Sequence, residues 1–552
     1  MLGNIAQRIQ EAFFQSLEQA GCVSLDTYGP ASSDEEYEEE DEDDDDDDGR
    51  RSTESAITPT GLVGFGSFLR SNPRTDKFKV DRFHHIEFWC GDATNTYGRF
   101  SWGLGLPLVA KSDQTTGNQT FCSFVLKAED LALVFTAPYS EAAALTRTDP
   151  LGPVTGETGH PRRSRVPFPG FSPRAAREFS ALHGLGVRAI GIRVEDVEAA
   201  YQTSVDNGAI SICPPVTVTD IKPNGQGGSV TIAEVTLYGD TVLRFVNPKG
   251  YSGPFLPAFE AASNQVMSYG IFRVDHVVGN VPSLADVVRY IKGFSGFHEF
   301  TDSCGSGEAG GGGGSMGAGG AGGGAARGVG GGGGVIGLSG GAGTAGGAAG
   351  GGGATPKKRS GCAADVDPSG LGVNSTVLAN DWETVILPIM EPSLGLPYKT
   401  QVETFLEHYN GAGVQHIALM CTDIVKAVKE MKARSDMGGF AFLPRPSAKY
   451  YKELGARVGS LISGEEMGEY EELGILVDVD AGGILLQIFT APIGDRPTLF
   501  IEILQRVGVK KGPKAIPMQQ FPRGGCGGFG TGNLLELFRS LDTIQPPTKA
   551  YP

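Results

Sequence analysis

Four segments of this chain open in the same way, and that repetition limits the fold more than any single motif does. They are "RFHHIEFWCGDATNTYGRFSW", "LGVRAIGIRVEDVEAAYQTSV", "RVDHVVGNVPSLADVVRYIKG" and "GVQHIALMCTDIVKAVKEMKA". Each reads as an apolar strand followed by a helix of moderate length. With His85, Arg188, His276 and His416 taken as comparable strand positions, the steps are 103, 88 and 140 residues. The last step falls to about 85 once a glycine-dominated block of roughly 55 residues is set aside as an insert. Helix starts agree with the plan: Asp423 precedes Ile424, Val425 and Val428, and Pro282-Ser283 precedes Leu284, Val287 and Ile291. Strand candidates follow the helices, among them "VTIAEVTLYG", "TVLRFVNP", "ETVILPIM", "GILVDVD", "ILLQIFT" and "LFIEILQRV". The expected fold is therefore α+β, with four βαβββ modules paired into two open-barrel halves. The first half is expected over 76–250 and the second over 265–545, with a terminal helix near Asn533–Leu541.

Two stretches stand outside this plan. Asp34–Asp48 holds 14 acids and one tyrosine, so it supplies most of the formal net charge of −18. A run of like charge this dense repels itself, and residues 1–75 are expected to form a disordered acidic extension. The Gly-rich block at 305–360 cannot bury enough apolar surface to order itself and is expected to interrupt the second half as a disordered insertion. With no basic face to neutralise phosphates, nucleic acid is excluded as a partner. No apolar run approaches the roughly 20 residues that span a bilayer, so no membrane segment is expected. Eight cysteines without a CxxC pair read as reduced thiols, which points to the cytoplasm.

Three residues of the second half make an unusual choice. His276, in "RVDHVVG", is expected on the face of Val274 and Val278; His416, in "GVQHIALM", on that of Val414, Ala418 and Met420. Glu502, in "LFIEILQRV", shares a face with Phe500 and Leu504. A carboxylate on a buried face costs several kcal/mol unless a cation or metal compensates it. Two histidines and one carboxylate form the facial triad of non-heme Fe(II) oxygen chemistry. Singly, each has a plainer explanation: a strand histidine is commonly a core residue, and Glu502 has Arg506 nearby as a partner. The first half has His85 but Arg188 at the next comparable position, and a cation there argues against a second metal site.

The strings "RFHHIEFWCGDATN", "GLGVRAIGIRVED", "VDHVVGNVP", "GAGVQHIALM", "LLQIFTAPIGDRPTLFIEILQRVG" and "GGCGGFGTGN" resemble 4-hydroxyphenylpyruvate dioxygenase of the plant and green-algal type. The resemblance covers about 60–300 and 370–545 and implies the vicinal oxygen chelate (glyoxalase-like) fold. It implies one Fe(II) per subunit on His276, His416 and Glu502, with 4-hydroxyphenylpyruvate and O2 as substrates and homogentisate and CO2 as products. Carried over by motif, Ser375, Gln401 and Gln415 orient the substrate, Gln401 from a strand leading to His416. Gln487, Phe489, Phe500, Phe529 and Asn533 line the cavity. The family further implies a homodimer, and its pathway to plastoquinone and tocopherol admits plastid residence.

Two positions depart from the family pattern. "LPIMEP" has Met390 where the family usually reads Asn, and "TGNLLELF" has Leu534 where the plant form places a Phe. The helix after Asn533, approached through glycines, is expected to act as a lid, with Asn533 as its N-cap. The pocket departures leave two alternatives open, 4-hydroxymandelate synthase and a catalytically silent ligand-binding relative. An extradiol ring-cleaving dioxygenase shares the ligand set but lacks these strings.

Overall fold

Every repeat places a helix cap close behind the end of its first strand. Strand β1 (Val80–Trp89) is followed by Asp92, whose side chain accepts from Asn95 N at the start of α1 (Ala93–Leu104). Asp196 and Asp423 do the same for α3 (Val197–Asp206) and α6 (Ile424–Lys432), satisfying a helix N–H that has no intrahelical partner. Ser283 holds the cap position before α4 (Leu284–Ser295) without a side-chain bond. The computed structural model describes residues 72–140, 162–164, 166–220, 228–301, 372–393, 395–458, 461–480, 483–508, 530 and 533–544. The acidic run, the Gly-rich block and Phe529 lie outside these residues.

The modules are β1-α1-β2-β3-β4 (β2 Leu108–Ser112, β3 Phe121–Ala128, β4 Leu131–Pro138) and β6-α3-β7-β8-β9 (β6 Gly186–Val194, β7 Ser211–Thr219, β8 Ser229–Tyr238, β9 Thr241–Val246). The third is β11-α4-β12-β13-β14 (β11 Ile271–Asn280, β12 His298–Thr301, β13 Val373–Ala379, β14 Ile386–Pro392). The fourth runs from β15 (Gly413–Cys421) through α6 to β16 (Leu476–Asp480), β17 (Gly483–Phe489) and β18 (Phe500–Gly508). In every module the first strand pairs parallel with the last, and two first strands join antiparallel to fuse two modules into one curled sheet. The first sheet has the order β10-β2-β3-β4-β1-β6-β9-β8-β7-β5, with short β5 (Arg162–Ser164) and β10 (Glu260–Ala261) at its edges. The second has the order β12-β13-β14-β11-β15-β18-β17-β16.

The main core lies where the outer faces of the two sheets meet, and it contains Val187, Ile190, Val277, Ile417 and Leu419. The approach is close: a Cβ on Gly279 of β11 would lie 2.6 Å from the ring of Tyr238 on β8. Beyond the repeats stand α2 (Pro173–His183), α5 (Gln401–Tyr409), α7 (Ala448–Val458), α8 (Gly464–Leu473) and α9 (Leu534–Ile544). Gln401 is thus the first residue of a helix, not part of a strand. Thr400 and Glu403 form a reciprocal capping box that starts the helix there, and Ser463 with Glu466 does so for α8.

Candidate metal centre

Adjacent residues of a regular strand point to opposite faces, so a side chain cannot bond to its immediate neighbour's. Both histidines break that rule, because each follows a β-bulge. On β11, Val274 pairs with Leu419 and His276 with Ala418, which leaves Asp275 as an extra residue. On β15, His416 pairs with Val278 and Val414 with Gly279, which leaves Gln415 extra. A bulge turns two successive side chains toward one side. Asp275 Oδ2 accepts from His276 Nδ1 at 2.8 Å, and Gln415 Oε1 from His416 Nδ1 at 2.9 Å. The same bulges correct two expected faces: Val274 and Val414 belong to the outer core, while Ala418 and Met420 lie with Phe272, Leu485 and Leu504.

With Nδ1 tied back, each Nε2 points inward to Glu502. Glu502 Oε2 lies 3.3 Å from His276 Nε2 and 3.4 Å from His416 Nε2, and the ligand atoms of the three residues lie within 4.8 Å of one another. The three groups sit on neighbouring strands, with Ala418 paired to both His276 and Glu502. All three are at most 4% exposed. Arg506 is not the partner of Glu502. Its Nε and Nη2 donate to Asp275 Oδ1 and Oδ2 at 2.9 and 2.7 Å.

The electrostatics of the trio match a site for a cation. Burial pushes the Glu502 carboxyl up, but His276 and His416 outweigh it and hold it at about 2. Burial pushes His276 down, yet Glu502 and Asp275 raise it to about 9; His416, with burial as the larger influence, is lowered. An anion is thus stabilised beside two imidazoles, a charge arrangement in which a divalent ion could replace a proton. Two imidazole nitrogens and one carboxylate oxygen suit first-row transition metals and leave coordination positions open.

The remaining expected residues divide into several groups. Phe500 stacks on the His416 ring at 4.9 Å, Phe489 meets it edge-on at 6.0 Å, and Phe489 is the cross-strand partner of Glu502. Gln487 is buried with its Oε1 unpartnered among the described residues. Gly530 (φ 66°) lies against that amide so closely that a Cβ there would be 2.4 Å from Nε2. Asn533 is buried too. Its Oδ1 accepts from Tyr450 Oη at 2.8 Å instead of capping α9, and its Nδ2 has no partner among the described residues. Ser375, Met390 and Asn280 form one row across β13, β14 and β11. Met390 and Leu534 pack in the same apolar cluster, with Val278, Val402 and Leu406. Gln401 Nε2 donates to Asp542 of α9 at 2.6 Å. Gln415 bonds to His416.

Sequence reasoning missed Asp275 and Arg506 as partners, Tyr450, and Asn280. Asn280 is fully buried with neither amide atom hydrogen-bonded among the described residues. The signal available was the acid beside a strand histidine in "VDH", which only a bulge makes meaningful.

No family model matches the chain. Among curated proteins, it is 45% identical over 493 residues to 4-hydroxyphenylpyruvate dioxygenase of Daucus carota, covering 89% of this chain and 92% of that one. The enzyme of the same name from Arabidopsis thaliana is 43% identical, with 89% and 93% covered, and that from Hordeum vulgare 40%, with 87% and 92% covered. Among solved structures, a triple mutant of 4-hydroxymandelate synthase from Streptomyces coelicolor superposes with a TM-score of 0.54 at 19% identity, covering 84% of this chain and 99% of that one. The structural likeness supports the vicinal oxygen chelate fold seen in the paired βαβββ modules. On the sequence identities and their coverage, the chain belongs to the 4-hydroxyphenylpyruvate dioxygenase family.

Proposed function

We propose that this protein is an Fe(II)-dependent dioxygenase that converts 4-hydroxyphenylpyruvate and O2 to homogentisate and CO2. One iron per subunit would be held by His276, His416 and Glu502. The observation that carries the reading is the convergence of two Nε2 atoms on one buried carboxylate, within 4.8 Å, in a chain whose relatives bear that activity in their names. Bound iron would supply the Lewis acidity and one-electron chemistry that O2 requires.

The chain's own residues bind, orient and exclude water. The Nδ1 bonds to Asp275 and Gln415 fix which nitrogen of each imidazole faces the metal. Three protein ligands leave room for a chelating 2-oxo acid and for O2. Gln487 Oε1 and Asn533 Nδ2, buried and without partners among the described residues, are an acceptor and a donor that a polar substrate group would satisfy, since leaving each unpaired costs about 1–3 kcal/mol. Phe489 and Phe500 wall the site beside His416. Helix α9 serves as the lid, latched to α5 through Gln401 and Asp542, so that the reacting centre stays dry.

The assay is oxygen uptake by iron-loaded protein given 4-hydroxyphenylpyruvate, with products separated by chromatography. Homogentisate is expected in step with oxygen consumed. Absence of turnover by loaded protein would sink the reading. 4-Hydroxymandelate as the product would replace it with the alternative that Met390 and Leu534 keep open, residues that pack in one apolar cluster. Two domains (76–250 and 265–545), a homodimer, and a cytoplasmic or plastid location complete the proposal; sedimentation and cell fractionation test the last two.

A further inference from the structure

Asp275 spends both carboxylate oxygens on neighbours. Oδ2 accepts from His276 Nδ1 (2.8 Å) and from Arg506 Nη2 (2.7 Å), and Oδ1 accepts from Arg506 Nε (2.9 Å). The side chains of Asp275 and Arg506 are 1% and 0% exposed. A buried ion pair of this kind is weak evidence of stabilisation, because desolvation offsets most of the Coulomb gain. It is strong evidence of orientation, because a forked guanidinium holds a carboxylate plane in one place. That plane in turn decides which ring nitrogen of His276 carries the proton. His416 is held differently, by the neutral amide of Gln415, which among the described residues has no cation hydrogen-bonded to it.

We infer that Asp275, clamped by Arg506, is a positioning residue: carried onto the inner face by the β11 bulge, it locks His276 with Nε2 toward the metal, and thereby sets metal affinity. The inference rests on the trio being a metal site. The two histidines are then unequal ligands. His276 is the preset anchor, and His416 is the ligand with the softer support.

The test uses the full-length protein with Co(II) as probe, read by visible absorption and without substrate. In Asp275→Asn the amide offers one oxygen where the carboxylate offered two, so an N–H donor faces either Arg506 or His276. Co(II) affinity is expected to fall by about 10–100-fold, and Gln415→Met by less. Wild-type protein that takes up no Co(II) would fail the metal reading itself. Wild-type uptake with unchanged affinity in Asp275→Asn would overturn the positioning role while sparing the site. Loss of thermal stability with unchanged affinity counts the same way, as a purely structural ion pair. If Asp275→Asn does not fold, Arg506→Lys keeps the charge but loses the fork, and a several-fold weaker Co(II) affinity is expected. Wild-type protein loaded with Zn(II) gives a check without mutation. Nitrogen-15 NMR should find the His276 proton on Nδ1, protected from exchange; a proton on Nε2 would overturn the inference.

Discussion

In the first sheet, His85 on β1, Ala189 on β6 and Arg244 on β9 stand where the second sheet has His276, His416 and Glu502. The registers fix the correspondence: His85 pairs with Gly191 and Gly191 with Arg244, as His276 pairs with Ala418 and Ala418 with Glu502. Glu87 pairs with Ala189 as Val278 does with His416. Even the bulges recur, at His84 and Arg188. Arg188 therefore answers to Gln415, not to His416, and its guanidinium lies over Trp89 at 4.6 Å. The charges at the two centres are inverted. Arg244 donates to Glu87 and Glu234 at 2.6 Å each and to His85 Nε2 at 2.9 Å, with Phe168 4.3 Å from its guanidinium. His85 then keeps its proton on Nδ1, 2.7 Å from His84 Nδ1, in the tautomer that His276 needs. The same scaffold holds a permanent cation in one half and is built to receive an exchangeable one in the other.

The largest effects come from swapping these roles. Glu502→Gln keeps the shape but removes the anion that gathers both imidazoles. Metal uptake and turnover are expected to fall by well over ~100-fold, beyond what supporting residues contribute, while the apo fold persists. Metal content and oxygen uptake check this. Arg244→Met does the reverse. It strands Glu87 and Glu234, which are 0% and 4% exposed, and is expected to cost about 3–5 kcal/mol in denaturant unfolding. Turnover per folded molecule should hold. If Arg244→Met lost turnover without losing stability, the first half would not be a structural counterpart of the second.

How much of this was legible follows from what periodicity encodes. Four strand–helix openings gave the paired modules, because alternation and N-caps such as Asp423 are local signals. The converging trio was legible because His276, His416 and Glu502 are polar on strands that are otherwise apolar. What escaped depends on register. The bulges at Asp275 and Gln415 shift faces by one residue, so reading by alternation put Val274 and Val414 on the wrong side and aligned Arg188 one place off. Arg506 looked like the partner of Glu502 by sequence distance, yet its guanidinium reaches Asp275, 231 residues away. Helix α5 hid behind a strand reading because its capping box, "TQVE", was not weighed against the approach to His416.

At the ends of their first strands the two sheets differ on a smaller scale. Trp89 is the first-sheet counterpart of Asn280; it fills its site and donates from Nε1 to Glu87 Oε1 at 3.3 Å. The Asn280 amide is buried without a partner among the described residues, and its neighbour on β14 is Met390. Met390→Asn should give that amide a partner and stabilise the fold by about 1 kcal/mol, seen as a higher unfolding midpoint, and should alter affinity for substrate and triketone-type inhibitors. Leu534→Phe, in the same cluster, should change inhibitor affinity non-additively with it, by a coupling of roughly 0.5–1 kcal/mol in a double-mutant cycle. Strict additivity would mean that the two departures do not share a wall.

The seam between the halves supplies the most pH-dependent effect. Asp76, just before β1, and Asp381, just before β14, exchange bonds: Asp381 N donates to Asp76 Oδ2 at 2.9 Å, and Asp76 N to Asp381 Oδ1 at 3.2 Å. Burial, then repulsion from Asp381, raises the Asp76 carboxyl to about 7 despite the backbone bond, and its Oδ1 is unpartnered among the described residues. A raised acid binds its proton more tightly folded than unfolded. Its contribution is therefore complete below the unfolded value near 3.8 and is lost as pH rises through about 7. Asp76→Asn should be more stable than wild type at pH 8, by about 1 kcal/mol after discounting for partial exposure. The advantage should vanish by pH 4. Unfolding midpoints at the two pH values decide it: a difference that does not change with pH would mean the two carboxyls are not held against each other across the seam.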